Sequence, residues 1–383
     1  MTRSILYATA AAVLLPLSAQ AQETDDALPE VVVTATRLPA IVADTPGARV
    51  IDRHAIEQRG AVFAADILHD IPGLSVVRSG AFGGVAQVRM RGASPGKTLV
   101  LVDGVPVNDP AEVNGAFDFS GMELGDIERI EVLSGPQSSL WGSDAIGGVI
   151  AFTTRDLDGL GADLEAGSYE TVRARLAAGV STERYGFGAW VSHFDTDGIS
   201  AADEADGNTE ADGFTTTTIG AKGRYAFTPV ASVDGSVRWT DSDADLDGYP
   251  APAYALADTL DTQSSEAWSG FGRLRVNALG LAHQFSVSAS DIARETVSSF
   301  PSAFEADRQV FRWQADGSAA GADFVLGAER EDTEGSLSTG LTQELGTTSA
   351  FATARIEPTE RLSLTGAVRF DDTDDFGSKT TGR

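Results

Sequence analysis

From Asp156 to Arg383 the chain carries no convincing helical periodicity. It runs instead through stretches of roughly ten residues in which apolar and polar side chains alternate. Val233, Gly235, Val237 and Trp239 alternate with Asp234, Ser236, Arg238 and Thr240. Phe285, Val287 and Ala289 alternate with Gln284, Ser286, Ser288 and Ser290, and Leu362, Leu364, Gly366, Val368 and Phe370 with Ser363, Thr365, Ala367 and Arg369. Successive strand residues point to opposite faces, so each stretch has one apolar face and one polar face that includes arginines. Two architectures satisfy this. A membrane barrel puts lipid against the apolar face and a wet lumen against the other; a soluble β-sandwich buries the apolar faces against each other. Periodicity alone leaves both open.

The turns favour the barrel. Short connections (Gly167-Ser168, Thr182-Glu183, Thr228-Pro229, Ala278-Leu279-Gly280, Glu357-Pro358-Thr359) interleave with long polar ones at 195–212 and 241–261, as a barrel with tight turns at one end and loops at the other requires. Trp190, Trp239, Trp268 and Trp313 near strand ends fit interfacial girdles and core packing equally well.

The amino terminus sets the compartment. Arg3 precedes an apolar run from Ile5 to Leu17, and Ala19-Gln20-Ala21 supplies small residues for cleavage, which predicts a signal peptide over 1–21 and a mature start near Gln22. That run is too short to span a bilayer, and no long apolar segment follows it. An exported chain of this kind is either soluble or a barrel, because only helices and closed barrels satisfy every backbone group in lipid. The absence of cysteine excludes thiol catalysis and zinc-thiolate sites, and four scattered histidines argue against a histidine metal centre. A net charge of −28 opposes nucleic-acid binding.

Between these regions the pattern is mixed. Residues 22–40 read as a polar lead-in and linker containing Glu30-Val31-Val32-Val33-Thr34-Ala35, a β-branched run suited either to strand addition on a partner's sheet edge or to an ordinary first strand. Residues 41–155 read as a compact α+β domain. Phe63, Ile67, Leu68 and Ile71 fall at helical spacing, and Pro72-Gly73 ends that helix. Val88 to Arg91, Leu99 to Val102, Ile130 to Leu133 and Val149 to Thr153 read as strands, with a hairpin turn at Asp103-Gly104. Residues 156–383 form the alternating region.

Two motifs in that middle domain, and a third before it, resemble those of a known family. Val88-Arg-Met-Arg-Gly92 followed by Leu99-Val-Leu-Val-Asp-Gly-Val-Pro-Val-Asn108, and Ile127-Glu-Arg-Ile-Glu-Val-Leu-Ser-Gly-Pro136 leading to Trp141-Gly-Ser-Asp-Ala-Ile-Gly-Gly-Val149, resemble the plug of TonB-dependent outer-membrane receptors. Glu30 to Ala35 stands where that family has its TonB box. Within the family the chain is most similar to the vitamin B12 (cobalamin) receptors, through the TonB-box form, the run at 142–148 and Asp212-Gly213-Phe214. The resemblance implies an α+β plug followed by an antiparallel transmembrane β-barrel of about twenty-two strands. Val368 to Gly377 resembles a stretch near the middle of that barrel, so about the first half is expected here and the chain is expected to be an incomplete copy.

No nucleophile–histidine–acid arrangement or phosphate loop is evident, so binding and gated release are expected in place of catalysis. Asp195, Asp197, Asp203, Glu204, Asp206, Glu210 and Asp212 crowd one polar stretch, and Asp241, Asp243, Asp245, Asp247, Asp258 and Asp261 the other, without a cation in either. Such runs form solvated acidic surfaces or supply the oxygens of a calcium site. The resemblance implies calcium, with Asn208, Glu210, Asp212, Asp247 and Asp261 at ligand positions; Ser200 stands where the family has an acidic ligand, with Asp203 as a substitute. It further implies cobalamin contact by Val85, Gln87, Ser94, Val113 and Asn114. The leading expectation is therefore active import of cobalamin across the outer membrane, powered by a TonB-like partner, with calcium-ordered loops. A ferric siderophore or another large nutrient is the alternative cargo; a passive porin or a surface interaction protein is the alternative class.

Overall fold

A computed structural model describes Val31–Val32, Ala40–Ile41, Thr45 and residues 47–383 apart from Ala81, Ala111, Val113, Glu360 and Arg361. The expected signal peptide and most of the 22–40 segment lie outside the described residues; of the latter, β1 (Val31–Val32) pairs antiparallel with β2 (Ala40–Ile41).

The following domain contains β3 (Ala48–Asp52), α1 (Arg53–Arg59), α2 (Ala64–His69), β4 (Leu74–Arg78), β5 (Ala86–Met90), β6 (Thr98–Val102), β7 (Val105–Pro106), β8 (Ile127–Ser134), α3 (Ser138–Trp141) and β9 (Gly148–Thr154). Asp52 caps α1 by accepting from the Ala55 amide at 2.8 Å. Phe63, Ile67, Leu68 and Ile71 are all buried, as their spacing predicts. A five-stranded sheet runs in the order β3-β8-β9-β6-β7, with β6 and β9 parallel, while β4 and β5 form a separate hairpin. The β6–β7 turn has positive φ at both Asp103 (51°) and Gly104 (89°), the left-handed pair that an Asp-Gly hairpin supplies. The core lies between sheet and helices and includes Ile56, Ile67, Leu68, Met90, Ile130, Ile150 and Phe152.

Twelve strands follow: β10 (Gly159–Ala166), β11 (Val172–Ser181), β12 (Tyr185–Thr196), β13 (Phe214–Thr228), β14 (Ala231–Gly248), β15 (Ala257–Ala278), β16 (Leu281–Val297), β17 (Ser302–Ala319), β18 (Ala322–Leu337), β19 (Thr342–Thr359), β20 (Leu362–Thr373) and β21 (Gly377–Gly382). Each pairs antiparallel with the next in one sheet, and among the described residues β10 and β21 do not pair with each other. On β20, Val368 and Phe370 are 48% and 46% exposed, whereas Arg369 between them is 3% exposed. The same contrast recurs on β14, where Val233 and Val237 are exposed and Arg238 is buried. The apolar face therefore points outward and the polar face covers the N-terminal domain. A soluble sandwich would reverse this; a wall meant for lipid requires it.

The structure corrects one expectation and decides one that the sequence left open. Residues 241–261 are not one long loop: β14 extends to Gly248 and β15 starts at Ala257, leaving only 249–256 as connection. Aspartate has low strand propensity, yet the ladder from Asp241↔Glu266 to Leu246↔Asp261 satisfies the backbone groups while Asp243 and Asp245 stay exposed. Trp190 joins no outer girdle. It is buried on the inward face, its ring where a Gly220 Cβ would stand, at 2.1 Å; Trp268 does point outward.

Charged groups fasten the two parts together. Arg238 donates to Asp126, Arg173 lies 3.6 Å from Glu123, and Arg294 lies 3.2 Å from Asp109. Lys222 donates to the Thr154 carbonyl at 2.9 Å and Arg369 to the Leu140 carbonyl at 3.2 Å.

Candidate cation and ligand site

The β12–β13 connection folds over the end of β14. Within it Glu204–Asp206 form one helical turn, capped by Asp203, whose carboxylate accepts from the Ala205 amide at 2.9 Å. Asp203 therefore serves the loop's own backbone. Glu210, Asp212 and Asp247 each bring a carboxylate oxygen within 4.8 Å of the others.

Two adjacent backbone amides hold this group in place. The Ala201 N–H donates to Asp212 Oδ2 and the Ala202 N–H to Asp247 Oδ2, each at 2.7 Å. The second oxygen of each carboxylate, Asp212 Oδ1 and Asp247 Oδ1, is buried without a hydrogen-bond partner among the described residues. Two ionised carboxylates at about that separation repel by roughly 3 kcal/mol at an effective dielectric of about 20. The cluster consequently favours a proton or a cation. Burial, with Asp247 and Glu210 nearby, pushes the Asp212 carboxyl up to about 6, and burial beside Asp258 and Asp247 raises Glu210 as well.

Other expected ligands take neighbouring places. Asn208 is buried, with Nδ2 donating to the Asp203 carbonyl at 3.0 Å and Oδ1 accepting from the Asp258 amide at 3.2 Å. Asp261 pairs across from Leu246, and its carboxylate lies against Gly248, outside the carboxylate trio. Ser200 directs its hydroxyl at Asp247 Oδ2 (3.1 Å) and Asp258 Oδ1 (3.3 Å). Asp258 carries a part that sequence reasoning did not give it: its Oδ2 accepts from the amides of Thr209 and Glu210 at 2.7 and 3.1 Å, tying the two connections together. Its membership of the second acidic run was the only signal.

Residues 42–149 match the model of the TonB-dependent receptor plug domain. That segment is a TonB-dependent receptor plug domain. The chain is 33% identical over 287 residues to the vitamin B12 transporter BtuB of Vibrio vulnificus strain CMCP6, covering 70% of this chain and 44% of that protein. It is 38% identical over 158 residues to the BtuB of strain YJ016, covering 40% and 25% respectively. The chain thus spans less than half the length of these relatives. Among solved structures it is similar to the siderophore receptor PirA from Pseudomonas aeruginosa (TM-score 0.68, 21% identity, 88% of this chain and 58% of that one). It is also similar to the outer-membrane ferripyoverdine receptor from the same organism (TM-score 0.71, 15% identity, 93% and 55%). Those likenesses carry the fold alone: a plug packed against barrel strands. The family is one of receptors and transporters.

In these terms the residues expected to touch cargo lie on the plug. Gln87 is on β5 opposite Val77, and Val85 precedes β5 with its carbonyl accepting from the Ser79 amide at 2.9 Å. Ser94 and Asn114 are exposed, and Val113 lies outside the described residues. Of the TonB-box residues, Val31 and Val32 form β1, whereas Glu30, Val33, Thr34 and Ala35 lie outside the described residues. A cavity of about 130 Å³ between plug and barrel is lined by Asn108, Asp118, Gln263, Ser265 and Arg294 among others, and by none of the expected cargo contacts among the described residues. It suits water or a small polar solute and is too small for a bulky nutrient.

Proposed function

We propose that this chain works in active import of cobalamin across the outer membrane, with calcium ordering its outer connections. The observation that carries this reading is the meeting of Glu210, Asp212 and Asp247, where Asp212 and Asp247 each keep a buried carboxylate oxygen with no hydrogen-bond donor among the described residues. A hard cation takes about six to eight oxygens, carboxylates foremost, and three acidic side chains with orphaned oxygens fit that chemistry. Calcium, when bound, supplies the positive charge that lets these carboxylates stay ionised together. The vitamin B12 transporters of Vibrio vulnificus support the choice of cargo.

The remaining work belongs to the chain. Asp258, Ser200 and the amides of Ala201 and Ala202 hold the two connections in one arrangement above the plug. The exposed, uncharged surface offered by Ser94 and Asn114 suits a bulky ligand bearing amides. The segment 30–35 pairs by strand addition with a TonB-like periplasmic protein, whose pull rearranges the plug. Proline cannot donate to a strand ladder, so Val32→Pro abolishes uptake while cobalamin binding at the cell surface is unchanged. Uptake that persists in Val32→Pro would overturn the energised mechanism.

A further inference from the structure

The turn between β4 and β5 is seated in a notch of the barrel wall. Its Phe82 ring lies 6.0 Å from Phe63 and 5.9 Å from Phe194, and Phe63 meets Phe194 edge-on at 5.0 Å and Phe214 at 6.0 Å. Gly83 is buried at φ +79°, and a Cβ there would stand 2.3 Å from the Phe214 ring and 2.7 Å from Ala244. Only glycine accepts both that φ and that approach. A Cβ on Gly80 would lie 3.9 Å from Ala201.

The sides of this notch that meet Gly83 and Gly80 belong to segments that also build the acidic cluster. Phe214 follows Asp212 by two residues; Ala244 shares β14 with Asp247; the Ala201 amide donates to Asp212. The far side of the turn closes on Val85 through the Ser79 amide, and Gln87 follows on β5.

We propose that Phe82 and Gly83 are positioning residues that couple the order of the acidic cluster to the plug turn bearing Val85 and Gln87. The inference rests on the cation reading above. Phe82 is 43% exposed and touches the notch along one side, whereas the buried backbone at Gly83 is close-packed against Phe214 and Ala244 and transmits a shift of that wall to the turn. Fixing Asp212 and Asp247 fixes Phe214 and Ala244, and these fix the turn. Coupling of this kind is reciprocal, so order in the turn favours cation binding by the same factor.

Hydrogen exchange of the full chain in lipid vesicles, with calcium alone as the probe against a chelator, tests this without any cargo. In the wild type, calcium slows exchange in residues 198–213 and also in the turn, at Ser79, Gly80 and Phe82 to Val85, by a factor on the order of 5–150. Phe82→Ala keeps the slowing at 198–213 and loses that in the turn. Phe214→Leu, which keeps an apolar side chain in the notch, does the same to a smaller degree. Slowing at 198–213 alone in the wild type, or slowing of the turn that survives both substitutions, overturns the coupling and leaves the cation reading standing. No response in either segment overturns the cation reading and the coupling with it.

Discussion

Arg238, projecting inward from β14, hydrogen-bonds the carboxylate of Asp126 just before β8 of the plug, and both side chains are almost wholly buried. The pair spans the plug–barrel interface, so neither charge can be removed without stranding the other in a poorly solvated place. Arg238→Ala is expected to destabilise plug docking by about 3–5 kcal/mol. Removing Asp126 as well recovers part of that loss, because no uncompensated charge remains. Chemical denaturation followed by plug-specific fluorescence gives both numbers; a single substitution costing no more than an exposed pair would show that the interface is solvated.

The outward face carries a second prediction. Val287 on β16 is 45% exposed among other apolar side chains of the same face. Val287→Arg is expected to cost about 2–4 kcal/mol in a bilayer, less near the interface. In urea titrations from vesicles an unchanged midpoint would place this face away from lipid.

The acidic cluster sets a pH dependence with a definite sign. Burial and the neighbouring carboxylates raise the folded Asp212 carboxyl from 3.8 to about 6. Without a cation the folded loop therefore binds more protons than the unfolded one between those values, and its stability falls as pH rises through about 6. Cation binding displaces that proton, so calcium affinity falls as pH drops through the same range. Calorimetric titration at pH 5 and 7.5 is expected to give weaker binding at the lower pH with proton release at about 6. Affinity that is flat across this range contradicts the assignment of Asp212.

Asp212→Asn removes one charge and keeps the shape. It is expected to lower calcium affinity at least about tenfold and to abolish the pH dependence near 6, while the Ala201 amide keeps its acceptor. Glu204→Gln, on an exposed part of the same connection, serves as the control and changes calcium affinity by less than about twofold. Equal effects of the two would mean that the loop binds cations only through its general charge.

Much of this was legible in the residues because the signals are local. Helical spacing placed α2, the Asp-Gly pair placed the β6–β7 turn, and alternation placed β14, β16 and β20 and divided each into an apolar and a polar face. The direction of that face needed the structure, since a lipid-facing wall and a sandwich share the same alternation. Strand length also escaped, because ladder pairing with a neighbour carries β14 and β15 through aspartates that read as loop. Within the site, the trio's acidic residues were visible in the sequence, but their partition was not. Asp258 turns its oxygen to backbone amides and Asp247 leaves one bare, a difference set by contacts between distant segments. The Phe82–Gly83 wedge had no sequence signal beyond a glycine pair.

Cobalamin binding by the full chain in vesicles, measured with calcium and with a chelator and in competition with a ferric siderophore, tests the central claim most directly. The account predicts saturable cobalamin binding that calcium strengthens and the siderophore does not displace. Binding of the siderophore in preference to cobalamin, indifferent to calcium, would contradict it.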